Sequence, residues 1–258
     1  MSQTFGISAL LKRQTKEDRA DTLRVWRIAI IVTLAIGFAK HVPLAIGLAG
    51  LIAAAAQLMI PLRYALTSKD GDDGIGYSFD GLGRDLPLVL GIMAVTFVPF
   101  WFLHDWWWTV LGVAKGGGSQ LAIPGGDAAV WLSNRIPTDP ILLSLLSLIE
   151  LTAIHLLGVA LPEELFYRGF VQPKLCRSFE DRPLAFGLVW NHGIAIAAAI
   201  FALAHFLGDY NLARLGPFFP ALLLGMLRRR SGSIASAVVL HAAFNIYGAL
   251  LFAGLTAQ

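Results

Sequence analysis

Charge is what this chain has least of. Asp, Glu, Lys and Arg make up 14% of its 258 residues, against 56% hydrophobic, and the mean hydropathy is +0.66. No soluble domain of this size needs that much apolar surface. The composition predicts an all-α fold, a polytopic transmembrane helical bundle of about seven spans, within a range of six to eight. Cysteine is nearly absent. Cys176 stands alone, which excludes an internal disulfide and a cysteine-based metal centre, and beside Arg177 it reads as a reduced cytoplasmic thiol. The net charge of +3 reflects loop arginines and gives no nucleic-acid footprint. There is no internal repeat, no His-Glu-x-x-His zinc signature and no Gly-x-Ser-x-Gly elbow. Gly116-Gly117-Gly118-Ser119 lacks the ending of a phosphate loop and reads as a flexible linker. In Asp70-Gly71-Asp72-Asp73-Gly74 the ligand and glycine positions of a calcium loop are out of register, so a solvated turn is expected.

What is present is a series of apolar runs. Met1 to Arg24 is polar and is expected to be a cytoplasmic N-terminal segment. No apolar run directly follows a short basic start, so no cleavable signal peptide is expected. Phe5 to Leu11 reads as a short amphipathic turn on the membrane surface. Val25 to Ala39 and Leu44 to Ile60 form a tight helical hairpin, the second run ended by Pro61. Leu86 to His104 is a third span, followed by Trp106, Trp107 and Trp108 at headgroup level. Residues 25–140 are thus accessory helices and loops, and 141–255 the working core. The remaining runs are Ile141 to Leu161, Leu184 to Phe206, a short one from Gly216 to Leu227, and a last one ending near Leu255.

Loop charges orient this arrangement. With the N-terminus cytoplasmic, one side holds Lys12, Arg13, Lys16, Arg19, Arg24 and Arg27. It also holds Arg63, Lys69, Arg84, Arg168, Lys174, Arg177, Arg182 and Arg228 to Arg230. The other side keeps only Lys40, Lys115, Arg135 and Arg214. The positive-inside rule therefore predicts a cytoplasmic N-terminus, and the compact loops suit a bacterial inner membrane.

The chain is organised around Leu161-Pro162-Glu163-Glu164-Leu165-Phe166-Tyr167-Arg168-Gly169. Charge beside a membrane helix is expensive and needs a reason. Glu164 and Arg168 are i,i+4 neighbours with the acid on the N-terminal side, the better orientation for an ion pair. Glu163 is turned away from that pair, so one carboxylate is expected to be neutralised and the other to be available for chemistry. Pro162 cannot donate to the Gly158 carbonyl, which loosens the turn before Glu163. A partly desolvated carboxylate there is a candidate general base. Glu150 and His155, earlier in the same run, are expected to pair with polar groups on neighbouring helices.

Two further apolar runs carry paired polar groups. Phe201 and His205 share a face at i,i+4, and so do His241 and Asn245. Glu-Glu-x-x-x-Arg, then Phe-x-x-x-His, then His-x-x-x-Asn, in that order on apolar helices, resembles the CPBP family. These are the CAAX-processing and bacteriocin-processing (Abi-type) intramembrane endopeptidases. Gly169 and the Arg229 to Ser233 approach to the last helix also look like the family. The resemblance covers roughly Ile141 to Leu255, and the first 140 residues carry none of it.

The resemblance implies that Glu163 and His205 hold and deprotonate a water, and that His241 and Asn245 donate to the oxyanion. Glu164 and Arg168, with Phe201, would support the site. The implied substrate is a membrane-associated protein or peptide, met in the lipid bilayer, with no nucleic acid and no cofactor. Zinc on Glu163, His205 and His241 is the alternative the residues permit. A non-catalytic transporter, immunity factor or scaffold on the same fold is the other reading. One distance resists this scheme. If Leu184 to Phe206 were one straight helix, His205 would lie about 30 Å from the cytoplasmic end, out of reach of Glu163. Asn191-His192-Gly193 offers the solution: a break there, with Leu184 to Trp190 along the interface and the inserted helix starting near Gly193.

Overall fold

The computed structural model describes residues 15–39, 41–42, 46–67, 75–110 and 140–256. The expected surface turn at Phe5 to Leu11, the Asp70 to Gly74 turn and the Gly116 linker lie outside the described residues. Seven long helices account for most of what is described. They are α1 (Lys16–Ala39), α2 (Ile46–Thr67), α3 (Leu82–Val110), α4 (Pro140–Ala153, continuing to Cys176), α5 (His192–Asp209), α6 (Phe218–Ser231) and α7 (Ala235–Thr256). Five stretches are long and apolar enough to cross a membrane: Lys16–Ala39, Leu48–Thr67, Leu82–Leu103, Leu146–Cys176 and His192–Asp209. The fold is an all-α bundle of an integral membrane protein.

Two helix limits differ from the sequence reading. Helix α1 begins inside the polar N-terminal segment, at Lys16. The Thr15 hydroxyl accepts from the Asp18 amide at 3.1 Å, and the Asp18 carboxylate accepts from the Thr15 amide at 3.3 Å, a reciprocal cap. Pro61 does not end α2, which runs to Thr67. The turn after the proline is held from outside: Tyr64 packs edge-on to Phe170 at 5.1 Å, and its hydroxyl donates to Asp21 at 2.9 Å. Those contacts offset the one ladder bond that proline removes.

Packing divides the chain into two compact units. One is Met1–Leu88 with Pro162–Ala237, so far as these are described; the other is Val89–Leu161 with Val238–Gln258.

In the first unit the core is built from Val25, Ala29, Val32, Phe166, Tyr167, Phe170, Ala197, Ala198 and Phe201. Helix α1 lies along α5 through a stripe of small residues. Val25, Ala29, Thr33 and Gly37 recur every fourth position and are all buried. A Cβ on Gly37 would meet the Leu207 Cβ at 2.5 Å, so the helices approach as closely as glycine permits. At the other end of α5, a Cβ on Gly193 would meet the Cys176 amide nitrogen at 2.5 Å. The start of α5 is thus seated on the last turn of α4.

The α2–α3 connection is strapped over the turn between α6 and α7. The Ile234 amide donates to the Gly76 carbonyl at 3.0 Å, and the Ser233 hydroxyl donates to the Ser78 carbonyl. Asp85, fully buried, accepts from Arg230 and from the Ser236 hydroxyl. Gly232, at φ 74°, takes the left-handed conformation that ends α6. Arg228 is buried just before it, and desolvation pushes its pKa down to about 10.

In the second unit α3 and α7 meet through aromatic rings. Phe97 stacks on Tyr247 at 4.1 Å, and the Tyr247 hydroxyl donates to the Phe97 carbonyl at 2.8 Å. Phe244 lies 5.6 Å from the same ring.

Candidate active site

Helix α4 is irregular where the acidic motif falls. Ile154–Ala160 and Leu165–Val171 are π-helical turns, and they flank the short α-helical stretch Leu161–Glu164. The Leu161 amide donates five residues back, to Leu156. Pro162 supplies a cause: it has no N–H, and its ring crowds the carbonyl four residues back, so a wider turn relieves it. The expected loosening before Glu163 is therefore present as a π turn.

The two adjacent carboxylates have different surroundings. Glu164 is fully buried and pairs with Arg168, itself 1% exposed, at 3.0 Å. Arg168 also donates to the Ala221 carbonyl at 3.4 Å. Glu163, one residue earlier, is only half-buried. The i,i+4 pairing read from the sequence is thus the one the structure makes.

Phe201 joins this pair to His205. The Arg168 guanidinium lies 4.5 Å from the Phe201 ring centre, a cation–π contact. On another side the His205 ring lies 4.5 Å from the same ring, tilted by 52°. His205 Nδ1 is 3.0 Å from the Phe201 carbonyl oxygen. A carbonyl can only accept, so Nδ1 carries the proton. In the neutral ring Nε2 is then the acceptor nitrogen.

The break expected at Asn191 is present. Helix α5 starts at His192, and residues 182–190 form no helix extending it. Arg182–Pro183 pairs antiparallel with Val189–Trp190 around a tight turn at Ala185–Gly187. Asn191 is the cap: its side chain accepts from the Gly193 amide at 2.8 Å. Its amide nitrogen donates to Asp181 at 2.8 Å and to the Phe179 carbonyl at 3.1 Å. From the Gly193–Cys176 seat, Glu163 lies thirteen residues back along α4 and His205 twelve residues on along α5. The two residues are thus separated from the same seat by nearly equal lengths of chain.

The remaining predicted site residues sit in the second unit. His241 is buried and Asn245 half-buried, one turn apart on α7. His155 lies in the first π turn of α4 and is 6% exposed. Neither of its ring nitrogens has a hydrogen-bond partner among the described residues, so the partner expected for it on a neighbouring helix is not found there. Among the described residues no three His, Cys, Asp or Glu side chains are grouped as metal ligands.

Sequence reasoning missed Tyr167 and Thr33. Tyr167 packs edge-on to Phe201 at 5.1 Å, and its hydroxyl lies 3.5 Å from the Thr33 hydroxyl. The signal was available: Thr33 is a polar residue inside an apolar helix, which seldom goes unpartnered.

Residues 145–247 match the family described as Type II CAAX prenyl endopeptidase Rce1-like. Neither a curated protein nor a solved structure matches the chain. The matched segment contains the α4 acidic motif, the Phe201–His205 pair and the His241–Asn245 pair. Through that segment, about two fifths of its length, the chain is similar to the Rce1-like CAAX endopeptidases of the CPBP family, peptide-bond hydrolases, and its long apolar helices are those of an integral membrane protein.

Proposed function

We propose that this protease works by water activation on Glu163 and His205. A water is held between the Glu163 carboxylate and His205 Nε2. Glu163 takes a proton as the oxygen attacks the scissile carbonyl carbon. The developing oxyanion accepts hydrogen bonds from His241 and from the Asn245 amide. The proton then passes to the leaving amine, and the C–N bond breaks. Glu164 and Arg168 hold the turn that carries Glu163. The observation that carries this reading is the commitment of His205 Nδ1 to the Phe201 carbonyl. It presents an acceptor nitrogen to a water, which general-base chemistry needs.

No cofactor enters this scheme. The substrate is the C-terminal region of a membrane-anchored protein, with a lipid or apolar tail that reaches the site from the bilayer. In the first unit the charged groups gather where α1 and α5 begin and α4 and α6 end: Asp21, Lys174, Asp181, Arg228 and Arg229. That supports placing this end, and the N-terminus, in the cytoplasm of a bacterium.

The test uses full-length protein in lipid vesicles with a farnesylated CAAX peptide. Wild type should release the terminal tripeptide after dialysis against EDTA and phenanthroline, and His205→Ala should not. Loss on chelation, restored by zinc, would instead make Glu163, His205 and His241 metal ligands. Full turnover by His205→Ala would remove it from the mechanism.

A further inference from the structure

Phe201 is touched from three sides. Arg168 and His205 are two of them, and Tyr167 is the third, its ring at 84° to Phe201. Tyr167 is itself pinned at its far end. Its hydroxyl shares a hydrogen bond with Thr33 of α1 at 3.5 Å. Both residues are buried, at 1% exposure each. Their hydroxyls have no water to turn to, so they satisfy one another, and each fixes the other.

Helix α1 is in turn packed on the His205 helix. Val25, Ala29, Thr33 and Gly37 are buried on one stripe, and Gly37 meets Leu207 of α5. Beyond the end of α1, His41 Nε2 lies 2.8 Å from the Leu207 carbonyl, and its ring stacks on Tyr210 at 4.6 Å. Thr33 thus reaches Tyr167 from a helix that cannot slide against His205 without breaking these contacts.

We propose that Tyr167, held by Thr33, is a positioning residue for His205 and acts through the Phe201 ring. Helix α1, outside the family-matched segment 145–247, then belongs to the working protease and is more than an accessory anchor. The inference rests on His205 being the imidazole that holds the water. Tyr167 exchanges no proton in it. Its hydroxyl sets the Tyr167 ring, the ring edge sets Phe201, and Phe201 sets both the plane of His205 and its Nδ1 hydrogen bond.

The experiment removes single hydroxyls in full-length protein in lipid vesicles, assayed on the farnesylated CAAX peptide. Tyr167→Phe and Thr33→Val should each lower kcat roughly three- to tenfold at unchanged KM, the rate equivalent of one buried hydrogen bond. Thr33→Ser, which keeps the hydroxyl, should recover the wild-type rate. The double variant should fall no further than either single one, because both remove the same bond. A second readout needs no turnover. In protein labelled with nitrogen-15 histidine, His205 should carry its proton on Nδ1 in the wild type. In Tyr167→Phe the proton should divide between the two ring nitrogens. Wild-type kcat in both variants, a loss that Thr33→Ser shares, or an unchanged His205 tautomer in Tyr167→Phe would overturn the inference. His205→Ala separates the two levels. If it turns over, the base assignment itself fails. If it is inactive while Tyr167→Phe matches the wild type, only the positioning role fails.

Discussion

Halfway along α4 the charges are few and sealed in; at its C-terminal end they are many and half-open. Glu164 and Arg168 pair among Leu165, Phe166, Tyr167 and Phe170, all buried. Two or three turns later, Lys174 pairs with Asp21 at 2.7 Å, Arg177 with Asp18 at 3.6 Å, and Arg229 with Asp181. The last two pairs are about 40% exposed on each side. The same kind of bond does different work in the two places. At the end of the helix, water and other charges can replace a lost partner. In the middle, burial keeps water from doing so, and the pair fixes a conformation even if it adds little net stability.

Arg168→Leu should widen this contrast most. It leaves Glu164 buried without its counter-charge, at a cost of about 3–5 kcal/mol. Detergent-solubilised protein should melt far below wild type or fail to accumulate, and an unchanged Tm would deny the pair its special standing. Next comes the seat that aligns the two regions. Gly193→Val drives a Cβ into the Cys176 backbone, with 2.5 Å to its nitrogen and 2.7 Å to its Cα. Such overpacking costs about 1–3 kcal/mol and would shift His205 along α4. Both Tm and peptide turnover should drop; a stable, fully active variant would show that this close seat does not set the position of His205. Arg177→Ala should do least, about 0–1 kcal/mol, as exposed pairs do. A Tm loss as large as that of Arg168→Leu would erase the comparison.

Much of this site was readable in the chain. Glu164 and Arg168 declared their pairing by a four-residue spacing that geometry nearly enforces. Asn191 and Gly193 announced a helix start, because asparagine caps and glycine permits close approach. Other features were hidden because their causes lie far off in sequence. Pro61 reads locally as a stop, and only Phe170 and Asp21, more than 100 and about 40 residues away, carry the helix through it. Thr33 looks like one more small residue in an apolar run until Tyr167 is set beside it. The Leu184 to Trp190 run gave no sign of its short strand pair, since two paired residues leave no periodic pattern.

The central claim is that two neighbouring glutamates, alike in chemistry, divide the labour, Glu163 acting on water and Glu164 holding Arg168. The direct measurement is to make the same substitution at each and read yield, Tm and turnover of the farnesylated peptide side by side. Glu163→Gln should accumulate and melt like wild type with no detectable turnover. Glu164→Gln should leave Arg168 buried without its counter-charge, lower Tm and yield sharply, and keep measurable turnover in the protein that survives. Turnover by Glu163→Gln at the wild-type rate, or an inactive but fully stable Glu164→Gln, would contradict the account.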